Sequence, residues 1–288
     1  MIVANCHRRV QTRQYLQLII GSLLLCGGCG DVLPPDPAPL FTIDLKVNGE
    51  PVDSAILDTG GGYELMLRES IGLPVHDEVE VLAFGGRETV GLAEGFSYTI
   101  DGISLTAKAA LIGLSVCDCN GVGFLFLRRS GKTLGVDFAG NKAFLLDRAP
   151  QGGLQLSFGD PPDTLPRFDS AFVIVNVSAG GQTLRLNGLL DTGTNSSVMR
   201  RGLFSGATRP LQPDRMAVTI GRSELGVVAA NVRLFDTPGL PDIVIGTDVM
   251  RAWSDRWFFT YSPRGGVVTV EPRTVEYVAD LPVPSGVR

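Results

Sequence analysis

The sequence predicts an all-β chain made of two similar halves, and three observations carry that expectation. Apolar runs are short and are punctuated by 36 glycines and 18 prolines among 288 residues, a pattern of strands joined by turns rather than of long helices. A strand–turn–strand unit ending in Asp-Thr-Gly occurs twice. Each copy is followed further along the chain by apolar residues and a glycine. Hydrophobic residues make up 44% and charged residues 19% of the chain, so most of it has the means to bury a core.

In chain order, the first segment stands apart from the fold. His7, Arg8, Arg9 and Arg13 give a basic start without acids, and Leu18 to Leu25 form a compact apolar run. That run is short for an ordinary bilayer span and fits a secretory signal. Cys26-Gly27-Gly28 then lead into Cys29. A small residue before a cysteine resembles the lipobox of bacterial lipoproteins, with Cys26 where that motif usually has Leu. The resemblance implies that Cys29 is the lipidated first residue of a chain anchored in the bacterial cell envelope and facing the periplasm. A cleaved signal releasing a secreted protein and an uncleaved anchor remain open. Residues 30–40, with Pro34, Pro35, Pro37 and Pro39, read as a stiff tether.

Composition then removes several classes of chemistry. Beyond residue 29 the balance is 22 basic against 30 acidic side chains, with no basic cluster of the kind a nucleic-acid surface needs. His76 is the one histidine beyond the leader, and it follows Pro74 in a turn-like setting. Neither a serine or cysteine triad nor a histidine-rich metal site has its parts. Gly131-Lys132-Thr133 ends like a phosphate loop, but Phe126 stands where that motif's first glycine belongs. Cys117 and Cys119 are the two cysteines beyond the leader, and their spacing leaves both a strained pair and free thiols open.

The repeat carries the chemistry. Its first copy runs Phe41-Thr-Ile-Asp-Leu-Lys-Val-Asn-Gly49, then Ala55-Ile-Leu-Asp58-Thr59-Gly60. The second runs Phe172-Val-Ile-Val-Asn-Val-Ser-Ala-Gly180, then Gly188-Leu-Leu-Asp191-Thr192-Gly193. The phenylalanine lies 17 residues before Asp58 and 19 before Asp191. Thr133-Leu134-Gly135-Val136-Asp137 and Val244-Ile245-Gly246-Thr247-Asp248 read as the later partners, each expected to lead into a short helix. Landmarks recurring in one order mark a duplicated lobe rather than a short solenoid repeat. A lone Asp-Thr-Gly is usually a turn, but two after apolar strands ask for more.

These residues, over about 41–272, resemble the pepsin and retropepsin aspartic peptidases. The segment Asp242-Ile-Val-Ile-Gly-Thr-Asp-Val-Met250 is similar to the Ile-Ile-Gly-x-Asp-x-Leu segment of the retropepsin type. The resemblance implies a two-lobed acid-protease fold with short helices and a cleft between the lobes. It implies one site per chain, a catalytic unit that works as a monomer, and a peptide or protein substrate. Asp58 and Asp191 would be the catalytic pair, with no cofactor and no metal. Thr59, Gly60, Thr192, Gly193 and Thr194 would support them, the threonines by bonding across to the opposite loop.

The chemistry follows from the pairing. Two carboxylates held about 3 Å apart cannot both ionise, an effect for which acid-protease dyads are the standard instance. One acts as general base on a shared water, and the other donates its proton to the peptide carbonyl. The titrations belong to the pair, so neither Asp58 nor Asp191 is assigned the acid or base role. The family covers its cleft with a hairpin flap. Val79 to Val90, with Phe84, Gly85 and Gly86 at its tip, is the candidate here, and Val218 to Leu225 is its counterpart. Gly61 and Gly62 depart from the Ser, Thr or Ala usual after the first Asp-Thr-Gly, so weaker support for Asp58 is expected.

The expected organisation is residues 41–150 as the first lobe, 151–170 as a linker, 171–272 as the second lobe and 273–288 as a tail. An inactive peptide-binding protein on the same scaffold and a structural envelope protein with separated aspartates are the rival readings.

Overall fold

The computed structural model describes residues 40–83, 86–114, 119–158, 171–204, 216–220, 228–230, 233–235, 241–262 and 265–271. The chain is mainly β, as expected, with its described strands in three sheets and two short helices, Phe124–Ser130 and Thr247–Trp253. Among the described residues no helix is long and apolar enough to cross a membrane. Cys29, residues 30–39 of the tether and the tail lie outside the described residues.

The two repeat copies fold alike. Strand Thr42–Val47 turns back into Glu50–Asp58 through Asn48 and Gly49, both left-handed at φ 52° and 86°. Strand Phe172–Ala179 turns into Gln182–Leu190 through Gly180 and Gly181, at φ 57° and 81°. Two left-handed residues make the tight turn that matches strand twist, which is why glycine or asparagine stands there. Each returning strand delivers its aspartate at the carboxyl end.

A second, parallel strand locks each aspartate strand in place. Asn120–Gly123 pairs with the first, from Ala55↔Asn120 to Asp58↔Gly123. Ile243–Ile245 pairs with the second, from Gly188↔Ile243 to Leu190↔Ile245. The helices begin directly after Gly123 and Gly246, whose backbones match closely at φ −89°, ψ 177° and φ −83°, ψ −179°.

This corrects the sequence expectation that Gly135 is the partner of Gly246. Thr133–Asp137 is a strand rather than a helix start, and the first helix follows Gly123. Gly135 is glycine for another reason. A Cβ there would come within 3 Å of the Phe144 ring on the neighbouring strand. Asp137 caps a turn, accepting from the Gly140 N–H at 2.8 Å, and pairs with Arg256 at 3.3 Å. It caps no helix.

The third sheet joins the two halves. Thr133–Asp137 runs antiparallel to Arg256–Ser262, centred on Gly135↔Phe258, and the flanking strands are Lys142–Leu146 and Gly265–Val270. Leu154–Ser157, in the stretch assigned to the linker, adds the outer strand beside Val267–Val270. One core cluster draws on all three sheets, with Phe41, Leu57, Val122 and Phe124 packed in the same body as Leu190, Ile245, Trp257 and Phe259. Burying each such side chain contributes about 2 kcal/mol, so the sites they frame are held rigidly.

The candidate flap is a hairpin, Asp77–Ala83 against Gly86–Ala93, in register from Asp77↔Leu92 to Ala83↔Gly86. Phe84 and Gly85, at its tip, lie outside the described residues, and Gly86 opens the return strand. In the second half, Met216–Ile220 pairs with Val228–Ala230, and the residues between lie outside the described part.

Candidate active site

Asp58 and Asp191 end equivalent strands, and the loops after them interlock. The Thr59 N–H donates to the Thr192 hydroxyl oxygen, and the Thr192 N–H to the Thr59 hydroxyl oxygen, both at 3.1 Å. Each hydroxyl then donates onward across the interface, Thr59 to the Leu190 carbonyl at 2.9 Å and Thr192 to the Leu57 carbonyl at 2.7 Å. All four bonds are buried, and each charges one half's geometry to the other. Buried backbone groups need partners, so neither loop keeps its shape alone.

The interlock sets the carboxyls. The Gly60 N–H donates to Oδ1 of Asp58 at 2.9 Å, and the Gly193 N–H to Oδ1 of Asp191 at 2.8 Å. A Cβ on Gly60 would sit within 3 Å of the Asp191 carboxyl, with Oδ1 at 2.9 Å. The glycine that binds one carboxylate therefore lies in contact with the other. Asp58 is 1% exposed, and Asp191, Thr59 and Thr192 are fully buried. Two tyrosines register both acids. Burial raises the Tyr63 phenol well above its usual range, and Asp58, by charge and hydrogen bond, and then Asp191 raise it further. The Tyr261 phenol is raised by burial, then by Asp58 and by Asp191.

Behind each loop, the helix start and its glycine act as a brace. The Phe124 N–H donates to the Gly61 carbonyl at 3.1 Å, and the Thr247 N–H to the Thr194 carbonyl at 2.9 Å. These satisfy amides that a helix leaves open at its N-terminus. A Cβ on Gly123 would strike the Tyr63 and Gly61 carbonyls, and one on Gly246 would lie 2.8 Å from the Ser196 carbonyl carbon. Side chains there would push the loops off their seats. In the second half Asp248 adds a clamp, accepting from the Ser197 hydroxyl at 2.7 Å and the Ser197 N–H at 3.0 Å, while the Ser197 hydroxyl oxygen accepts from Gly246 N–H.

The structure thus gathers Asp58, Thr59, Gly60, Asp191, Thr192 and Gly193 at one point. Thr194 serves its own loop, its hydroxyl donating to the Ser196 carbonyl at 3.1 Å. His76 is exposed and bonds through its backbone to Leu92, and Lys132 pairs with Asp147. Cys119 is disulfide-bonded, with its partner outside the described residues.

Sequence reading missed three contributors. Gly123 was hidden in a glycine-rich run whose neighbour Gly135 fitted the pattern better. Tyr63 donates its phenolic proton to Oδ2 of Asp58 at 2.8 Å. Its signal was available: a large aromatic placed two residues after Gly61 in a tight loop needs the room those glycines leave. Tyr261 reaches the Thr59 carbonyl at 3.4 Å and stacks on Phe124 at 5.7 Å, from a strand no local pattern connects to the site. No protein-family model matches the chain, and no curated protein matches its sequence.

Proposed function

We propose that this chain is an aspartic endopeptidase with a single-chain, two-lobed acid-protease fold of the pepsin and retropepsin type. The observation that carries the reading is the reciprocal Thr59–Thr192 interlock, which brings the Asp191 carboxyl against Gly60 while Gly60 binds Asp58. Carboxyls so placed share a proton, because two adjacent charges in a buried site repel too strongly to coexist. The charged member draws a proton from a water held between them. The protonated member gives its proton to the carbonyl oxygen of a bound peptide as the tetrahedral centre forms. The water oxygen bonds to the carbonyl carbon. On collapse the carboxyl that took the water's proton gives it to the amide nitrogen as the C–N bond breaks, and the other takes back the hydroxyl proton, so no covalent intermediate with the enzyme forms.

The hairpin Asp77–Ala93 serves as the flap, ordering the peptide and excluding water. Residues 1–29 are read as a lipoprotein signal that anchors the chain through Cys29 at the periplasmic face of the envelope. Labelling cells with a fatty-acid analogue tests this, since Cys29→Ser should abolish incorporation.

The activity test uses Asp58→Asn and Asp191→Asn, made singly. Each should abolish cleavage of a peptide library at mildly acidic pH while the thermal midpoint of unfolding stays near that of the unaltered protein. Cleavage surviving both changes rejects the assignment. Peptide binding without any cleavage by the unaltered protein would favour an inactive binding protein on the same scaffold.

A further inference from the structure

The two Asp-Thr-Gly loops diverge after their glycines, and one of the differences falls on a carboxyl oxygen of Asp58. Five residues after Asp58 stands Tyr63, and five after Asp191 stands Ser196. The Tyr63 phenol donates to Oδ2 of Asp58 at 2.8 Å, whereas the Ser196 hydroxyl donates to Oδ1 of Asn195 at 3.5 Å. The phenol is a rigid donor on a ring that is 3% exposed, so its aim is set by packing.

That packing is built for it. A Cβ on Gly61 would lie 2.8 Å from Cζ of Tyr63 and 2.5 Å from Oδ2 of Asp58. A Cβ on Gly121, in the strand beside Asp58, would lie 2.5 Å from the Tyr63 hydroxyl. Tyr63 shares a buried apolar cluster with Met66, Val81, Val90 and Leu111. Gly61 therefore reverses the sequence expectation of weaker support: its missing side chain opens the slot through which a stronger donor reaches Asp58.

Building on the peptidase reading, we propose that Tyr63 is a positioning residue that fixes the rotation of the Asp58 carboxylate and makes Asp58 the charged member of the pair, with the shared proton on Asp191. A hydrogen bond to the ionised form of a carboxylate favours that form. With Oδ1 taken by the Gly60 N–H and Oδ2 by the phenol, Asp58 receives a donor on each oxygen. Tyr63 itself stays protonated wherever the acids titrate, because burial and the nearby acids hold its proton. The charged groups acting on this phenol are Asp58 and Asp191, and the same two acids act on the Tyr261 phenol. Glu64 turns away, to the Tyr98 hydroxyl, the Lys108 N–H and Arg129.

The test is Tyr63→Phe in the full-length protein, which keeps the ring and removes the donor. On a peptide the unaltered protein cleaves, kcat should fall roughly tenfold to hundredfold, the loss expected for one hydrogen bond to a charged acceptor. KM should change little. The acidic limb of the kcat profile should move up by about one pH unit, since the lost donor raises the carboxylate's pKa. Gly61→Ala, which crowds the same phenol, should shift the limb in the same direction. An unchanged kcat and an unmoved acidic limb in Tyr63→Phe would overturn the inference and leave the peptidase reading intact. If the unaltered protein cleaves nothing, that reading fails, and carbon-13 NMR of labelled aspartates decides the role of Tyr63 separately. The Asp58 carboxyl signal, identified by its loss in Asp58→Asn, should titrate at higher pH in Tyr63→Phe. An unmoved midpoint overturns the proposal.

Discussion

Thr59 and Thr192, 133 residues apart in sequence, each donate a backbone N–H to the other's hydroxyl oxygen at 3.1 Å. The exchange makes one half's loop a structural part of the other's. Thr192→Val keeps the shape of the side chain but strips the Thr59 N–H and the Leu57 carbonyl of buried partners. Leaving buried polar groups unsatisfied costs about 1–3 kcal/mol each. Thermal unfolding should show a loss of about 2–4 kcal/mol for Thr192→Val, and under about 1 kcal/mol for Thr192→Ser, which keeps the hydroxyl.

The corrected pairing of glycines gives a second test. Gly123→Ala drives a methyl into the Tyr63 and Gly61 carbonyls, while Gly135→Ala drives one into the Phe144 ring. Overpacking costs about 1–3 kcal/mol in either place. Only Gly123→Ala displaces the loop that carries Asp58. On the proposed reading it should lose peptide cleavage by more than its stability loss explains, and Gly135→Ala should keep kcat. Equal activity losses in the two would mean that Gly123 braces nothing special.

How much of this was legible beforehand depends on the range of the interactions. The strand pairs, their tight turns and the two Asp-Thr-Gly loops are local patterns, and period-two apolar residues with Asn48-Gly49 or Gly180-Gly181 declare them directly. The union of Thr59 with Thr192 was implied by the resemblance of the two Asp-Thr-Gly segments to aspartic peptidases, and no local pattern shows it. Gly123 was not legible because Asn120-Gly121-Val122-Gly123 lacks the aliphatic run Ile243–Ile245, and Thr133-Leu134-Gly135-Val136-Asp137 imitates Val244-Ile245-Gly246-Thr247-Asp248. The third sheet was not legible because its central pair, Gly135↔Phe258, joins strands distant in sequence. Tyr261 belongs to the same class of contact: its place at Thr59 is set by that sheet.

A third prediction concerns Glu64, next to Tyr63. It is 2% exposed and accepts from the Tyr98 hydroxyl at 2.6 Å and the Lys108 N–H at 3.1 Å, with Arg129 as its ion-pair partner. Arg129→Met leaves a buried carboxylate without its counter-charge, which costs about 3–5 kcal/mol when a buried pair loses one member. Chemical denaturation should show a loss near the lower figure, because Arg129 is partly exposed. Arg129→Met combined with Glu64→Gln should recover part of it.

Asp248 gives a pH dependence of defined sign. Burial raises its carboxyl above the ordinary value, and bonds from Ser197 and Val249 oppose the rise without cancelling it. A carboxyl raised on folding binds its proton more tightly in the native state. Its contribution to stability is therefore fully present below the unfolded value and is lost as pH rises through the folded one. In thermal unfolding followed upward from about pH 3, the unaltered protein should lose midpoint relative to Asp248→Asn across that window. A difference that is constant with pH would remove Asp248 as the cause.

The last prediction follows from how the hairpin Asp77–Ala93 is attached. Among the described residues Gly86–Ala93 joins the rest of the sheet through three pairs, Gly91↔Ile112, Leu92↔Leu111 and Ala93↔Ala110, and Asp77–Ala83 is the outermost strand of that sheet. Nearer its tip than Gly91, the hairpin shares a buried apolar cluster with the body of the sheet, Val81 and Val90 belonging to the same cluster as Tyr63 and Met66. Asp58 and Asp191 have almost no exposure, so on the proposed reading a peptide reaches them only when a cover lifts. Local opening of this kind costs less than global unfolding. Val81→Ser removes about 1–1.5 kcal/mol of apolar burial and should raise the open population about tenfold. Hydrogen exchange at Val79–Val90 should quicken by that factor while Glu50–Asp58 stays protected. Cleavage should slow at limiting substrate, because the closed hairpin orders the peptide and keeps water out. Faster exchange spread equally over both regions would instead point to global destabilisation, and the hairpin would lose its claim to be the cover.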